Sequence, residues 1–281
     1  MRLKTSFLFK KQKVIGKIQP IDGQDDHKTL VEGLRGLWSD RTLFRQVDEI
    51  FISNLTVTIY GLSEIGQSIE KMPNLKLVEL SNCRHHDTSN CLQGLNCLLT
   101  HLNETRVETL IIPEDWLKET APFLKTIHAL ARENPRLIIS HRHDAVVAKK
   151  HTDKWLRQCA RMFAKKNIVA SATCFHKAMQ HAPQTAGLCR IYREDINNEI
   201  NRQITLFTDH FKKQVSALES LVPTLYQEPK VSISNHMVDQ LNDQLTALNL
   251  FHQASESFTN LFDQYVLQCG LLSLTIGEEK A

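Results

Sequence analysis

The side chains with the most chemical potential lie in one short string, Ser140-His141-Arg142-His143-Asp144. In an extended segment, residues two apart project to the same side, so His141 and His143 could share a metal ion. Asp144 or His151 would then complete the ligand shell. A second group, Cys83, His85, His86, Cys91 and Cys97, has ligand types suited to zinc. A structural zinc site needs four ligands at roughly 2.0 to 2.3 Å. Cys91 falls on the same helical stripe as Leu95 and Leu98, which reads as a buried free thiol. Cys174 and His176 are two apart in a helical stretch and do not face each other, so they make no nucleophile and base pair. Neither string calls for a resident metal or cofactor.

The chain has no G-x-x-x-x-G-K-[ST], no G-x-G-x-x-G and no G-x-S-x-G. Phosphate-loop ATPases, dinucleotide oxidoreductases and ordinary serine hydrolases are therefore disfavoured. The remaining enzymatic alternatives are a transferase resting on scattered acids, or a metal-dependent hydrolase, whose opening H-x-H the His141-Arg142-His143 string resembles.

Four apolar strings recur in the first half and would position these residues. They are Val47-Asp-Glu-Ile50-Phe-Ile52, Leu75-Lys-Leu-Val78-Glu-Leu80, Val107-Glu-Thr-Leu110-Ile-Ile112 and Pro135-Arg-Leu-Ile138-Ile-Ser140, with starts 28, 32 and 28 residues apart. Stretches of helical period lie between them. Leu62, Ile65, Ile69 and Met72 form one, and Leu95, Leu98 and Leu102 another. A third runs from Trp116 to Ala131, with Glu114 or Asp115 as N-terminal caps. Each unit thus reads strand, loop, helix, return, with parallel strands. Strand periodicity sends the third, fifth and seventh places of each string to one face. That face would carry Glu49, Leu77, Thr109 and Leu137, then Phe51, Glu79, Ile111 and Ile139, then Ser53, Ser81, Pro113 and His141. So many large apolar residues ask to be covered, by a partner or by the rest of the chain.

This string and spacing resemble leucine-rich repeats of the ribonuclease-inhibitor type, whose pattern L-x-x-L-x-L-x-x-N/C is completed at Cys83. The corresponding place holds Leu55, Asp115 and His143 in the other units, a departure from that pattern. The resemblance implies an α/β fold in which a short solenoid of parallel strands precedes a helical region. It also implies a protein-binding role through the repeat face, with Glu49, Phe51, Glu79, Thr109, Ile111, Ile139 and His141 as contact residues. A short atypical array joined to helices is similar to effectors that intracellular bacteria such as Legionella inject into host cells. The tail Ser273-Leu-Thr-Ile-Gly-Glu278-Glu279-Lys280-Ala281 is similar to the ends read by type IV secretion systems. That resemblance implies a host protein as partner and a non-classical route to the host cytosol; otherwise the chain reads as cytoplasmic.

Beyond Ala145 helical stripes dominate, so the expected domains are 1-144 and an all-α, bundle-like 145-281. Ile196, Ile200, Ile204, Phe207, Phe211, Val215, Leu218 and Val222 form a near-heptad seam that Pro223 is expected to end. Ile233 to Leu248 and Phe258 to Cys269 supply two more stripes. Trp155, Cys159, Met162 and Phe163 share one side of a further helix. Around its remainder lie Lys149, Lys150, Lys154, Arg157, Arg161, Lys165 and Lys166. Such a set suits a solvated face or an anionic membrane surface, where each basic residue contributes about 1 kcal/mol. Nucleic acid is disfavoured as a partner because no recognised binding signature accompanies the charge.

The charge is blocked along the chain. Residues 1-17 carry six basic and no acidic residues and 145-190 carry nine against one, although the 281-residue whole is only +3. At 42% hydrophobic and 23% charged, the composition is that of a globular protein. The seven cysteines are irregularly spaced, which suits free thiols in a reducing compartment. The apolar centre Ser6-Phe7-Leu8-Phe9 is too short for a signal peptide. No stretch approaches the length of a membrane span.

Overall fold

The computed structural model describes residues 6-10, 13-86, 91-103, 105-116, 125-126, 129-130, 133-227 and 235-278. It divides into two compact units, one of residues 1-146 with 186-193 and one of 147-185 with 194-281. The sequence-derived boundary at 144/145 falls two residues early and misses the short return segment.

In the first unit the predicted cycle is present as a parallel sheet. β1 (Ser6–Lys10) and β2 (Lys13–Ile18) form an antiparallel hairpin, and β2 then pairs in parallel with β3 (Val47–Ser53). β3 pairs with β5 (Leu77–Ser81), β5 with β7 (Thr109–Ile111) and β7 with β8 (Ile138–Ser140), all in parallel. Four strands therefore lie side by side in the order of the four strings. β4 (Thr56–Val57) and β6 (Arg84–His85) pair separately as a small second sheet. The six-stranded sheet is bounded on both sides. β1 lies along one edge, and at the other Leu188 bridges Ser140 in antiparallel fashion. The hairpin was not read from the sequence, where Phe7 to Phe9 served only to exclude a signal peptide.

The helices form where the periodic stretches lie. α1 (Asp26–Ser39) is capped by Asp25, whose carboxylate accepts from Lys28 N at 2.9 Å. The short α2 (Arg41–Gln46) leads into β3. α3 (Ile59–Glu70) is capped by Thr58, whose hydroxyl accepts from Gly61 N at 3.1 Å, and α4 (Cys91–Leu102) follows β6. Leu30, Leu34 and Leu37 of α1, Leu62, Ile65 and Ile69 of α3, and Leu95, Leu98 and Leu102 of α4 are all buried. Strand residues Ile50, Val78, Leu110 and Ile139 share one register row and are likewise buried. Most of the expected helix from Trp116 to Ala131 lies outside the described residues. A 3-10 turn, Glu114–Trp116, begins that connection.

Two successive units repeat each other at the backbone level. Ile52-Ser53-Asn54-Leu55 and Leu80-Ser81-Asn82-Cys83 occupy the same register, and Asn54 and Asn82 both adopt left-handed backbone, with φ of 59° and 54°. Asparagine tolerates this region better than other side-chain-bearing residues. The turn redirects each chain into the β4-β6 pair, so that Leu55 and Cys83 both point inward and are buried.

The second unit is helical apart from short turns among its described residues. Its helices are α5 (His143–Ala164, whose first turn belongs to the other unit), α6 (Ile168–His181), α7 (Arg190–Gln227), α8 (Asn235–Ala254) and α9 (Thr259–Glu278). The expected seam of α7 is the core. Phe207 and Phe211 are fully buried and pack with Phe175, Phe251 and Phe258. Pro223 does not end α7, which continues to Gln227. Proline one turn from the helix end removes a single ladder hydrogen bond, a loss the helix absorbs there more readily than in its middle. No described helix is long and apolar enough to cross a membrane.

Candidate functional site

A groove of about 890 Å³ opens where the parallel strands end. This is where open α/β sheets commonly bind ligands, because successive loops leave the sheet on the same side. Each crossover contributes a short run to its wall. Asn54 to Thr56 follow β3, Ser81 ends β5 and Asn82 to Arg84 follow it, Pro113 to Asp115 follow β7, and His141 and His143 follow β8. Glu79 and Ile111 reach it from within their strands.

The loops are held by hydrogen bonds that leave their side chains to the groove. Asn54 N donates to Ser81 O at 3.0 Å, Arg84 N to Leu55 O at 2.9 Å, and Ile112 N to Ser140 O at 2.9 Å. The carboxylate of Asp26 accepts from Thr56 N at 2.7 Å, tying α1 to β4. Ser81 donates its hydroxyl to the Glu79 carboxylate, which fixes that acid at the centre of the wall. Glu114 and Asp115 are exposed beside it, so three carboxylates face the groove against one guanidinium, Arg84. The field favours a cationic occupant.

Of the seven expected contact residues, the groove gathers Glu79, Ile111 and His141, and with them Ser81 and Pro113 of the same face. Glu49 lies outside it and pairs with Lys13 at 2.5 Å, and Phe51 is a half-buried neighbour in the register row of Glu79. Thr109 and Ile111 are buried, at 4% and 5% exposure, so neither is the open contact expected of it. The apolar row is covered rather than displayed.

Ile139 belongs to the opposite face. It pairs in register with Leu110 and is fully buried, while Ile138 and Ser140 occupy the places aligned with Thr109 and Ile111. The first three strings begin at a buried residue, and counting the fourth from Pro135 displaces its register by one. Such a slip reverses which face every side chain meets. Leu137, also assigned to the open face by that count, is buried too.

The histidine string does not take the metal-sharing arrangement that an extended segment would allow. Extended structure stops at Ser140, and His143 begins α5, so the two imidazoles leave different backbone conformations. Arg142 instead grips Asp144 through both carboxylate oxygens, at 2.9 and 2.5 Å, and this pairing holds the Asp144 carboxyl below the usual range. Among the described residues no three histidine, cysteine or acidic side chains converge as metal ligands. Cys83 is inert for a different reason. Its thiol donates to Ile52 O, and burial pushes it up to about 11.

The basic set lies on α5 and just beyond it. Lys149 is half-buried and paired with Asp153 at 2.6 Å, while Lys150, Lys154, Arg157, Arg161, Lys165 and Lys166 are exposed. Trp155 and Phe163 pack against the helical core, as their shared stripe with Cys159 implies. Sequence reasoning did not identify Asn54, Asn82, Glu114 or Arg202 as site residues. The matching Ser-Asn pairs after two strings were the available signal for the first two.

No family model, curated protein or solved structure matches this chain.

Proposed function

We propose that this chain is a protein-binding module whose strand-end groove receives an extended, lysine- or arginine-bearing segment of another protein. The observation that carries this reading is the convergence of Glu79, Glu114 and Asp115 on one groove built from successive parallel strand ends. A segment laid across those ends would meet backbone groups as well as the carboxylates. Salt would weaken it, since Glu114 and Asp115 are exposed.

On this reading the strand units are a short, bounded array of leucine-rich-repeat type. Support comes from their sequential parallel order and from the repeated Ser-Asn turns at Asn54 and Asn82. The effector resemblance adds a host protein as the owner of the bound segment, which a translocation reporter fused to the full chain would test.

The experiment is fluorescence anisotropy with a labelled hexalysine peptide and, as control, a hexaglutamate peptide. The expected result is saturable binding of hexalysine alone, weakened about ten-fold or more in E114K/D115K, a charge reversal at two exposed positions. Equal binding by the variant, with its circular dichroism unchanged, would overturn the proposal.

A further inference from the structure

Four basic residues of α5 and one just beyond its end recur at helical spacing. Lys150, Lys154, Arg157, Arg161 and Lys165 are 4, 3, 4 and 4 residues apart, and every one is exposed. At 100° per residue they fall within an arc of about 80°, and at 1.5 Å per residue they span roughly 22 Å. Val147, an exposed apolar residue, falls on the same arc. The opposite side of the helix is buried at Thr152, Leu156 and Cys159, which fixes the basic row outward. A plane laid along the helix would meet the whole row at once.

Part of this row is more than a solvated surface. Arg157 and Arg161 line a cavity of about 390 Å³ together with Arg202 of α7, over a floor of Leu156 and Ala160. Glu199 holds Arg202 in place by two hydrogen bonds of 2.8 Å, from its Nε and Nη2. Glu199 also accepts from Gln203 Nε2 at 2.8 Å, and Gln203 is itself buried. The third arginine is thus anchored from the core, while Arg161 has no side-chain partner among the described residues. Arg157 donates its Nε to the Asp153 carbonyl at 3.2 Å, within its own helix. Asp153 and Glu199 line the cavity as well, and each is already paired, with Lys149 and Arg202 respectively.

We propose that the groove between α5 and α7 binds a phosphate monoester presented on an anionic lipid surface, with Arg157, Arg161 and Arg202 around the phosphate and Lys150, Lys154 and Lys165 against the neighbouring headgroups. Guanidinium groups engage phosphate oxygens in pairs, which favours a terminal phosphate with three accessible oxygens over a diester. A monoester also carries close to a second negative charge near neutral pH. The length of the row decides for a surface over a small soluble ligand, since one phosphate needs the groove alone. This site lies in the helical unit and does not depend on the groove at the strand ends.

The test is co-sedimentation of the full chain with phosphatidylcholine vesicles that contain phosphatidic acid, or phosphatidylglycerol at matched surface charge. The expected result is about ten-fold or more tighter binding to the phosphatidic acid vesicles. R157Q/R161Q should abolish that preference. K150Q/K165Q, which removes the same charge outside the groove, should weaken both vesicle types alike and keep the preference. Equal binding of the native chain to the two vesicles would overturn the proposal, as would a preference that survives R157Q/R161Q. It would equally be overturned if inorganic phosphate or a DNA duplex bound with the same arginine dependence while the vesicles did not.

Discussion

Tyr192 donates its phenolic hydroxyl to the main-chain carbonyl of Leu137 at 2.8 Å, and in doing so fastens residues 186-193 to the last strand of the sheet. Ser140 reinforces the same seam by donating to Gly187 O at 2.8 Å. A parallel sheet that ended at β8 with its edge open would invite pairing with another chain. The returning segment closes that edge with one bridge and a few side-chain bonds. Leu188, Cys189, Ile191 and Tyr192 are all buried, so the closure is apolar as well.

Replacing Tyr192 with Phe removes the donor and leaves the Leu137 carbonyl buried without that partner. The expected loss is about 1 kcal/mol, the usual contribution of a buried neutral hydrogen bond. Urea unfolding followed by far-UV circular dichroism would measure it. A loss within error would mean that the segment is held by its apolar side chains alone.

Register makes a sharper claim on Ile139 and Phe51. Ile139 is fully buried in the helix-facing row, so Ile139→Ala should destabilise by about 2 to 4 kcal/mol. Phe51, half-buried on the other face, should accept Phe51→Ser at a clearly smaller cost. Thermal melts of the two variants side by side decide the matter, and the reverse ranking would mean that the two faces have been exchanged.

How far the sequence could be read follows from what each signal encodes. The strings at Val47, Leu75 and Val107 carry large apolar residues at their first, fourth and sixth places, a pattern the fourth string lacks at its first and sixth, and this fixes their strands and register, while their order in the sheet follows from short right-handed crossovers. The fourth string, Pro135-Arg-Leu-Ile138-Ile-Ser140, has three successive apolar residues, which fit either register, and only pairing with β7 selects one. The closing of the edge by Leu188 was illegible, because a single antiparallel bridge between residues 48 apart leaves no periodicity in the chain. The arginine groove was half legible. Spacing on α5 puts Arg157 and Arg161 together, but Arg202 joins them only through the packing of α7. The carboxylates at the strand ends were similarly scattered, since Glu114 and Asp115 read locally as helix caps.

Thiol chemistry should separate the cysteines by burial. The Cys83 and Cys159 thiols are each pushed up to about 11, and burial is the main cause for both. Both should therefore stay protonated and unlabelled by iodoacetamide at pH 8 while the chain is folded. Cys97 and Cys269, which are only half-buried, should be labelled before them. Peptide mass mapping after a short pulse would rank the sites, and early labelling of Cys83 or Cys159 would contradict the packing described for them.

The Glu199-Arg202 pair gives the helical unit a predictable response to acid. Hydrogen bonding to Arg202 holds the Glu199 carboxyl below the ordinary carboxylate range in the folded state. A group with a depressed folded value contributes stability above its unfolded value and loses that contribution as pH falls through the folded one. The pair is partly exposed, so the effect should be modest and should shrink in high salt. Glu199→Gln should accordingly lower the melting temperature at pH 7, and its difference from the native chain should begin to shrink as pH falls through about 4.3, the ordinary glutamate value, and close only below it. Melts recorded from pH 7 to pH 3 would show the convergence. A constant offset across that range would mean that Glu199 acts through its hydrogen bonds to Arg202 and Gln203, independently of its charge.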